Sequence, residues 1–385
     1  MNAALSTDDL VRLVRRVFVP TAADRGLAVL VDLPDARLAD NPEWAARRAM
    51  AADWVRRLGA AGDATGVPRT TLAWYRNAGG NNADLPTLCH PTDGARTYSH
   101  ADELPAAGAI PFADLFARHS LLLAPTELSA TAPLKVAARS HPLRAATMPG
   151  FLPAMIPALQ IDYAEVNRRV DRLKALLDPA TAATVVTRAG GRTRTLRLDL
   201  RHRTAHASGG LFPHNGVAGN LPSGETYIVP YEGELPGDPS GSRGELPVQF
   251  DDEVVVYRIE GNKAVAVLSE GPRSAAEAAL IVAEPAYANL AELGLGVLGD
   301  FGLEPVGSIL LDEKLGLHIA FGRSDHFGGA VGPADFSGPD AVVHLDRVYI
   351  PQVQPAVSVL SVKLEGTQGD GDREIMRDGE WCGVF

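Results

Sequence analysis

The sequence predicts an α/β protein of two domains: an N-terminal parallel-sheet α/β domain over residues 1–160, followed by an α+β domain over residues 161–385. The 385 residues exceed what one hydrophobic core usually serves. In the first 160 residues, apolar runs of strand length alternate with helical patterns, which is typical of a parallel sheet covered by helices. Short β-segments joined by glycine turns follow, and these favour antiparallel pairing.

The N-terminal domain is predicted to begin with an amphipathic helix capped at Ser6 or Thr7. An apolar strand within 25–35 precedes a helix at 41–62, in which Arg48 interrupts the apolar stripe. The segments TTLAWYRNAGG, IPFADLFARHS and LLLAPTEL predict a second strand, a short helix and a third strand. No GxGxxG follows the first strand, so no motif indicates a nucleotide-binding domain.

A helix at 162–182 is predicted to lead into the second domain, because its apolar residues share one face. Beyond it, ATVVTRAG and RTRTLRLDL flank the Gly190-Gly191 turn, and DDEVVVYRIEGNKAVAVLSE predicts a hairpin around Gly261-Asn262. The segment SAAEAALIVAEPAYANLAEL predicts a helix in its first half. Glycine- and proline-rich loops dominate 209–246 and 322–340.

The composition excludes several classes of function. A formal net charge of −11 and a pI near 5.4 argue against a nucleic-acid surface. No apolar run reaches the roughly 20 residues of a membrane span, and Asp8 and Asp9 stand where a signal peptide would be basic. Only two cysteines occur, Cys89 and Cys382, so any metal site must rest on histidine and carboxylate. We expect a cytoplasmic protein that acts on a small-molecule or peptide substrate and binds neither nucleic acid nor a membrane.

Candidate metal ligands lie in three glycine-rich stretches, at 219–234, 291–296 and 311–346. Within AVVHLDRVYI, His344 and Asp346 point to the same face of a predicted strand, where an imidazole and a carboxylate form a natural ligand pair. His318 lies in the strand-like segment GLHIAFG. A PSGE turn carries Glu225, and the AELGLG stretch carries Glu292.

Each of these residues also has an ordinary structural interpretation. The HxD pair and His318 could be hydrogen-bonded groups of the core or surface, Glu225 a solvated glutamate, and Glu292 the exposed end of a helix. As a set they are more specific, because zinc, cobalt or manganese sites without thiolates need His, Asp and Glu. A two-metal hydrolytic site needs about five or six such donors, with a carboxylate bridging the ions. The set supplies that number: Glu225, Glu292, His318, His344 and Asp346.

Two segments of the C-terminal domain resemble the thermophilic metallo-aminopeptidases, the aminopeptidase T and aminopeptidase S family. NLPSGETYIVP resembles the family's N-x-P-x-G-E-V-[FY]-x-x-P segment, and LDEKLGLHIAFGRS resembles its F-D-E-N-x-x-x-H-I-A-[LF]-G-R segment. HLD resembles its H-x-D strand, and the order and approximate spacing agree. The N-terminal half is also similar, so the resemblance spans most of the chain, most specifically at 219–230 and 311–323.

The resemblance implies roles for single residues. Glu225, His318, His344 and Asp346 match metal ligands of the family, and Glu292 is the nearest equivalent of a glutamate ligand in a leucine-glycine-glutamate turn. A family tyrosine seven residues after the histidine is replaced by Asp325, which His326 follows, and both are expected on the substrate side. Two divalent ions (Zn, Co or Mn) and a homodimer are also implied.

Under this hypothesis the two ions activate a shared water that attacks an amide carbonyl, and Glu292 acts as the catalytic general base. Asp312 and Glu313 are predicted to orient ligands, and Arg323 to pair with them or bind a substrate carboxylate. A purely structural salt-bridge cluster is the alternative for these three. The histidines of RHRTAHASGGLFPHNG match no closed zinc pattern and are predicted to border the active site: His202, His206 and His214.

Two other functions stay open. Bacterial 2,5-dihydroxypyridine dioxygenases resemble this scaffold and use one Fe(II) held by two histidines and a carboxylate, a set that His318, His344 and Asp346 could provide. Glu225 and Glu292 favour the dinuclear hydrolase, because a mononuclear iron site does not need them. A non-catalytic binding protein on an old hydrolase scaffold is disfavoured, because nearly all ligands are retained.

Overall fold

The structure, a computed structural model, describes residues 4–367 and 371–385. The chain forms two compact units: a first unit of Met1–Tyr163 and Gly210–Ser223, and a second unit of Ala164–Gly209 and Gly224–Phe385. The first contains a sheet with a parallel centre, and the second contains antiparallel sheets. This mixed architecture confirms the predicted fold class.

The helices and strands follow one another along the chain in this order: α1 (Thr7–Phe18), β1 (Leu27–Leu33), α2 (Pro42–Ala61), β2 (Thr70–Arg76), β3 (Leu88–Thr92), β4 (Ile110–Pro111), α3 (Phe112–Arg118), β5 (Leu121–Ala124), α4 (Thr131–Ser140), β6 (Arg144–Thr147), α5 (Tyr163–Leu177), β7 (Ala182–Ala189), β8 (Arg192–Asp199), β9 (His206–Ser208), β10 (Ala218–Asn220), β11 (Glu225–Ile228), β12 (Arg243–Phe250), β13 (Glu253–Glu260), β14 (Lys263–Val267), α6 (Pro272–Ala283), β15 (Leu290–Gly296), α7 (Ile309–Asp312), β16 (Leu317–Gly322), β17 (His344–Val348), β18 (Val357–Thr367), β19 (Gly371–Arg377) and β20 (Glu380–Trp381).

The first unit is built on a seven-stranded sheet in the order β10-β6-β5-β1-β2-β3-β4. Strands β10, β6, β5, β1 and β2 run parallel, as the alternation of strands and helices predicts. Every residue of β1 is buried, which explains its continuous apolar run. Apolar residues of the sheet and of α3 and α4 form one buried cluster around Leu30, Leu122 and Leu134.

A local capping signal in this unit starts a helix where the sequence predicts. Ser6 caps α1 and exchanges hydrogen bonds with Asp9, which satisfies backbone groups that the first turn leaves unpaired. Arg48, which interrupts the apolar stripe of α2, is buried and donates to both carboxylate oxygens of Asp40 at 2.9 and 2.7 Å. Arg48 can therefore interrupt the apolar stripe, because its buried charge is paired with the carboxylate of Asp40.

The second unit contains two antiparallel sheets. An eight-stranded sheet has the order β14-β13-β12-β8-β7-β18-β19-β20, and a five-stranded sheet has the order β17-β16-β15-β11-β9. The predicted hairpins are confirmed: β7 pairs with β8 across the Gly190-Gly191 turn, and β13 pairs with β14 across Gly261-Asn262. Helix α5 buries its predicted apolar face, including Val166, Val170 and Leu173.

One ordinary interpretation of the sequence is wrong. The segment that carries Glu292 is not the exposed end of a helix, because α6 ends at Ala283 and Leu290–Gly296 form the fully buried strand β15. Alternating leucines and small residues suit a strand that is covered on both faces.

The predicted domain limits of 1–160 and 161–385 stay a prediction about folding units. The compact units differ from those limits at one segment, Gly210–Ser223, which belongs to the first unit. Its residues Ala218–Asn220 form β10, which pairs in parallel with β6. An edge strand added from a distant part of the chain leaves no local composition signal. No helix among the described residues has the length and apolar character needed to cross a bilayer.

Candidate metal centre

The five-stranded sheet brings the five predicted ligands to neighbouring strands. Glu225 begins β11, Glu292 lies in β15, His318 in β16, and His344 and Asp346 in β17. Directly paired residues of an antiparallel sheet share a face. Glu292 pairs with Ala320, and Ala320 pairs with Asp346, so the two carboxylates flank one small residue in a single row. The geometry of the sheet therefore points these side chains to one face.

The five side chains form two overlapping groups of three potential ligands. In the first, which we name the inner triad, Nε2 of His318 lies 3.3 Å from Oε1 of Glu292 and 3.5 Å from Oε2 of Glu225. In the second, the outer triad, Nε2 of His344 lies 3.2 Å from Oε2 of Glu292 and 3.5 Å from Oδ1 of Asp346. Glu292 belongs to both triads, with one oxygen facing each.

The two triads differ in burial. Glu225, Glu292 and His318 are buried, and His318 has an exposed fraction of 0%. His344 and Asp346 are only partly buried. Each triad offers one imidazole and two carboxylates, a donor set that suits zinc, manganese or iron. Because the outer triad is less buried than the inner one, it is the side from which a small molecule can approach.

Glycine and backbone irregularity make room for these side chains. Gly294 pairs with His318, and a Cβ at Gly294 would lie 1.8 Å from Nε2 of His318. The imidazole thus occupies the space above a residue that has no side chain. The pairing of β15 with β16 also shifts register between Leu290 and Glu292, a bulge of the kind that redirects side chains at functional sites.

Backbone carbonyl groups fix the orientation of both imidazoles. The carbonyl oxygen of Arg323 lies 2.7 Å from Nδ1 of His344, and that of Gly316 lies 3.4 Å from Nδ1 of His318. A carbonyl on Nδ1 places a proton there and directs the lone pair of Nε2 toward the triads. This is the arrangement that metal-binding histidines commonly have.

The centre carries more negative than positive fixed charge. Burial lowers the pKa of His318, but Glu292, Glu225 and Asp346 raise it to about 9. Burial likewise opposes a proton on His344, yet Asp346 and Glu292 hold the pKa of its imidazole well above the usual value. Burial raises the pKa of Glu292, and the two imidazoles bring it below its ordinary value. In the metal-free protein, protons on the imidazoles stand where a cation would otherwise balance the carboxylates.

One buried polar atom supports a metal at the inner triad. Oε2 of Glu225 is buried and has no hydrogen-bond partner among the described residues. Its other oxygen, Oε1, accepts a hydrogen bond of 2.9 Å from Nζ of Lys314. A buried carboxylate oxygen without a partner is unfavourable unless a cation binds it. The residues present therefore fit a divalent metal.

Lys314 places an ammonium group in the centre, and the sequence did not predict its role. Its side chain has an exposed fraction of 0%, and Nζ contacts Glu225 and Glu313. Burial opposes the charge of Lys314, but the two carboxylates raise its pKa above the ordinary value. Burial raises the pKa of Glu313 to about 8, although Lys314 opposes this shift. Glu313 thus contacts Lys314, and its orienting role stays a prediction.

An aromatic wall adjoins the ligands: His206, Tyr227, Phe327 and His326. The rings of His206 and Tyr227 are stacked with centroids 5.2 Å apart, and Tyr227 lies 4.7 Å from Phe327. Phe327 in turn lies 5.4 Å from His344. Tyr227 pairs with Gly294, which pairs with His318, so Tyr227 points to the ligand face. Burial, Glu292 and Glu225 raise the pKa of the Tyr227 hydroxyl.

The structure places the predicted substrate-side residues at the exposed end of the centre. Asp325 and His326 lie in a short 3₁₀ helix, and the ring of His326 is 5.3 Å from that of His344. Burial, His344 and Arg323 lower the pKa of His326 to about 4. Arg323 donates from Nε to Asp325 at 2.5 Å. Their substrate-binding role stays a prediction.

Some neighbouring predictions need correction. Arg323 pairs with Asp325, not with Asp312 or Glu313. Asp312 accepts hydrogen bonds from the backbone of Val306 and Gly307 at 2.8 and 2.9 Å, so these contacts order a loop rather than a predicted ligand. A carboxylate that accepts hydrogen bonds from adjacent backbone N–H groups stabilises a loop, and this role is not evident from the sequence.

The three additional histidines have different environments. His206 reaches the aromatic wall, where its Nε2 lies 3.2 Å from the carbonyl oxygen of Phe327. His202 pairs with Asp238 at 2.9 Å and packs against Tyr231. His214 lies in the segment that belongs to the first unit. The contacts of His206 thus connect it, through Tyr227 and Phe327, to the residues around the centre.

Two residues of the centre, Lys314 and Tyr227, escaped the sequence-based prediction. A signal existed for Tyr227, because it follows Glu225 by two residues on a strand and so shares its face. For Lys314 the signal was weak: a charged residue between Glu313 and the strand-like segment GLHIAFG. Only burial distinguishes it from a solvated lysine.

Comparison with known proteins connects this fold to solved structures. No model of a protein family matches the sequence, and no curated protein matches it. The structure of 2,5-dihydroxypyridine dioxygenase from Pseudomonas putida KT2440 aligns with a TM-score of 0.59 at 14% identity, covering 98% of both chains. Wild-type AmpT from Thermus thermophilus aligns with a TM-score of 0.54 at 17% identity, covering 97% of this chain and 99% of that chain. At these identities the likeness shows a shared fold alone, and membership of the aminopeptidase family stays a prediction.

Proposed function

We propose that the protein is a metal-dependent hydrolase that cleaves an N-terminal or small-molecule amide bond at the candidate metal centre. The observation that carries the proposal is the position of Glu292, whose oxygens face the inner and the outer triad separately. A carboxylate between two ions is typical of two-metal hydrolytic sites. The fold shared with an aminopeptidase, AmpT, and with a dioxygenase supports an enzyme rather than a binding protein.

Each triad has a defined task in this proposal. Glu225 and His318 would hold one ion, His344 and Asp346 the other, and Glu292 both. When bound, zinc, cobalt or manganese would polarise the scissile carbonyl and lower the pKa of a bound water. The carbonyl groups of Arg323 and Gly316 keep the two imidazoles oriented for this task.

The contacts of Glu292 bear on its predicted role as general base. Both of its carboxylate oxygens lie within 3.3 Å of an imidazole Nε2. An oxygen that binds metal has less capacity to accept a proton from water. We therefore propose that Glu292 acts first as the bridging ligand, and that its part in proton transfer is secondary.

Tyr227 is the residue we propose to stabilise the substrate carbonyl oxygen. The family tyrosine expected at position 325 is absent, and Asp325 stands there. Tyr227 brings a hydroxyl to the ligand face from β11, and its stacked ring holds the side chain in place. A hydroxyl that donates to a developing oxyanion strengthens its bond in the transition state.

The surroundings of His344 indicate a substrate with an apolar or aromatic group. Phe327, His326 and Tyr227 offer ring faces and edges next to the partly buried outer triad. Apolar walls with a few polar groups are typical of small-molecule sites. The exposed Arg323–Asp325 pair at the same end supplies both a positive and a negative group for the polar ends of a substrate.

The experiment that tests the proposal combines metal exchange with a panel of amide substrates. The purified protein is stripped with a chelator, and zinc, cobalt or manganese is returned with oxygen excluded. We expect that hydrolysis of aminoacyl anilides stops on chelation and returns with the metal. Failure of every amide tested, with metal bound in two equivalents, would contradict the amide hydrolase.

A second candidate is a ring-cleaving dioxygenase that uses one Fe(II). Two observations favour it: the fold match with the dihydroxypyridine dioxygenase, and the ability of the outer triad to hold one ion by itself. Among the described residues, His344 and Asp346 group with Glu292, whereas His318 belongs to the inner triad. The predicted iron set of His318, His344 and Asp346 therefore does not form one group. Activity that requires Fe(II) and dioxygen, and that consumes an aromatic ring, would replace the hydrolase with this function.

A further inference from the structure

The inner and outer triads are chemically matched, yet their surroundings are not. Each offers one Nε2 and two carboxylate oxygens, and they share Glu292. The inner triad has Lys314 beside it, at 2.9 Å from Oε1 of Glu225. The charge of Lys314 also acts on Asp346, the corresponding carboxylate of the outer triad, but the two form no ion pair among the described residues. The donor types are therefore the same, and the two triads differ in their burial and in the charged groups beside them.

We propose that Lys314 makes the inner triad the weaker metal site, so that the outer triad fills first and the inner ion exchanges readily. This inference rests on the proposed metal-dependent function. The two triads offer the same types of ligand, but their metal affinities are unequal because the inner triad lies beside an ammonium group.

Two effects of Lys314 act in the same direction. Its hydrogen bond competes with an ion for Oε1 of Glu225, whereas Oε2 has no hydrogen-bond partner among the described residues. The ammonium also repels a divalent ion on the same carboxylate, and burial weakens the screening of that repulsion. The Lys314 side chain has an exposed fraction of 0%, so its ammonium group cannot turn toward solvent and the repulsion persists.

The neighbours of Lys314 explain why a lysine can stay charged in this position. Glu313 contacts Nζ from one side and Glu225 from the other. Gly296 gives the chain around Lys314 its space, because a Cβ there would lie 2.2 Å from the carbonyl carbon of Lys314.

The first test separates the triads in otherwise native protein. Mn²⁺ binding to the metal-free chain is measured by calorimetry and by electron paramagnetic resonance. His318→Ala keeps the outer triad, and His344→Ala keeps the inner one. We expect one strong site in His318→Ala and one site at least tenfold weaker in His344→Ala. Equal affinities, or a stronger inner site, would overturn the inference.

The second test changes the cation itself. In the His344→Ala background, Lys314→Met should raise the affinity of the inner triad for Mn²⁺ at least tenfold. Lys314→Arg keeps the charge and should keep the weak site. Lys263→Met, on an exposed strand residue, is the matched control and should change nothing.

The outcomes distinguish this inference from the proposed function. Wild-type protein that binds neither Mn²⁺ nor Zn²⁺ contradicts the metal-dependent function itself. Two equally strong sites, or an inner site that ignores Lys314→Met, contradict only the role of Lys314. If Lys314→Met does not fold without metal, the comparison of His318→Ala with His344→Ala still decides the order of filling.

Discussion

Buried charges are arranged differently in the two units of this protein. In the first unit, buried Arg144 donates to both oxygens of Asp24 at 2.9 Å, and Ser120 donates to Asp24 as well. In the second unit, Glu225, Glu292 and Asp346 face one lysine and two imidazoles. The first arrangement is complete without any ligand. The second balances its carboxylates only when both imidazoles carry protons, and Oε2 of Glu225 has no hydrogen-bond partner among the described residues.

This difference separates stability from function. A buried pair with matched charges and hydrogen bonds holds elements together and leaves nothing for a ligand. A buried group of carboxylates with too few fixed cations binds a further cation, and strongly perturbed pKa values are common in such functional sites.

Metal removal should affect the second unit and spare the first. We expect chelation to abolish turnover, and to raise amide hydrogen exchange in β11, β15, β16 and β17 because their carboxylates lose a counter-charge. Exchange in β1, β5 and β6 should stay as in the metal-bound protein, which provides the internal control. Equal deprotection of both units would show that the metal stabilises the whole chain.

Glu292→Gln should cost both triads their shared ligand. We expect a rate loss of about 10²–10⁴-fold, the range found when a catalytic carboxylate is removed, together with loss of bound metal by elemental analysis. Glu284→Gln is the matched control, because Glu284 is buried in the same unit and accepts from Ser337. Full retention of both ions in Glu292→Gln would favour the base role over the ligand role.

Tyr227→Phe should lower the rate and leave metal content unchanged. The ring keeps its packing with His206 and Phe327, and only the hydroxyl is lost. Removal of one donor to an oxyanion costs about 10²-fold or more in kcat. Tyr349→Phe, which removes a hydroxyl that donates to the carbonyl of Pro247, is the control. An unchanged kcat in Tyr227→Phe would remove Tyr227 from the mechanism.

Asp24→Asn should lower stability in a pH-dependent manner and leave the metal centre intact. Burial would raise the pKa of Asp24, but bonds from Arg144, Thr21 and Ser120 lower it to about 2. Because the folded-state pKa is depressed, the stabilisation is present above about pH 4 and is lost as pH falls toward 2. At pH 7 we expect a loss of about 3 kcal/mol in the free energy of unfolding.

Urea unfolding of Asp24→Asn and wild type across this pH range measures the effect. The two proteins should converge near pH 2, where Asp24 becomes protonated in the wild type. A difference that persists at the lowest pH would show that Asp24 stabilises the fold by packing rather than by charge. Unchanged metal affinity in the variant would confirm that the two buried charge groups are independent.

Much of the local structure follows from the sequence alone. Ser6 predicts its helix start because a hydroxyl can satisfy free backbone donors. The Gly190-Gly191 and Gly261-Asn262 pairs predict hairpins because glycine and asparagine adopt the positive φ values that the turns require. His344 and Asp346 share a face because strand side chains alternate with a period of two. In each case the deciding interaction joins residues close in sequence.

Other features depend on contacts between residues that are distant in the chain. Lys314 and Glu225 are separated by 89 positions, and no local pattern says that an ammonium group and a carboxylate will be buried together. The strand at Glu292, the local role of Asp312 and the return of Gly210–Ser223 to the first unit are of the same kind. The sequence by itself determined which donors exist and how neighbours are oriented. Packing of separate strands decided which donors meet, and burial set the low dielectric that gives their charges strength.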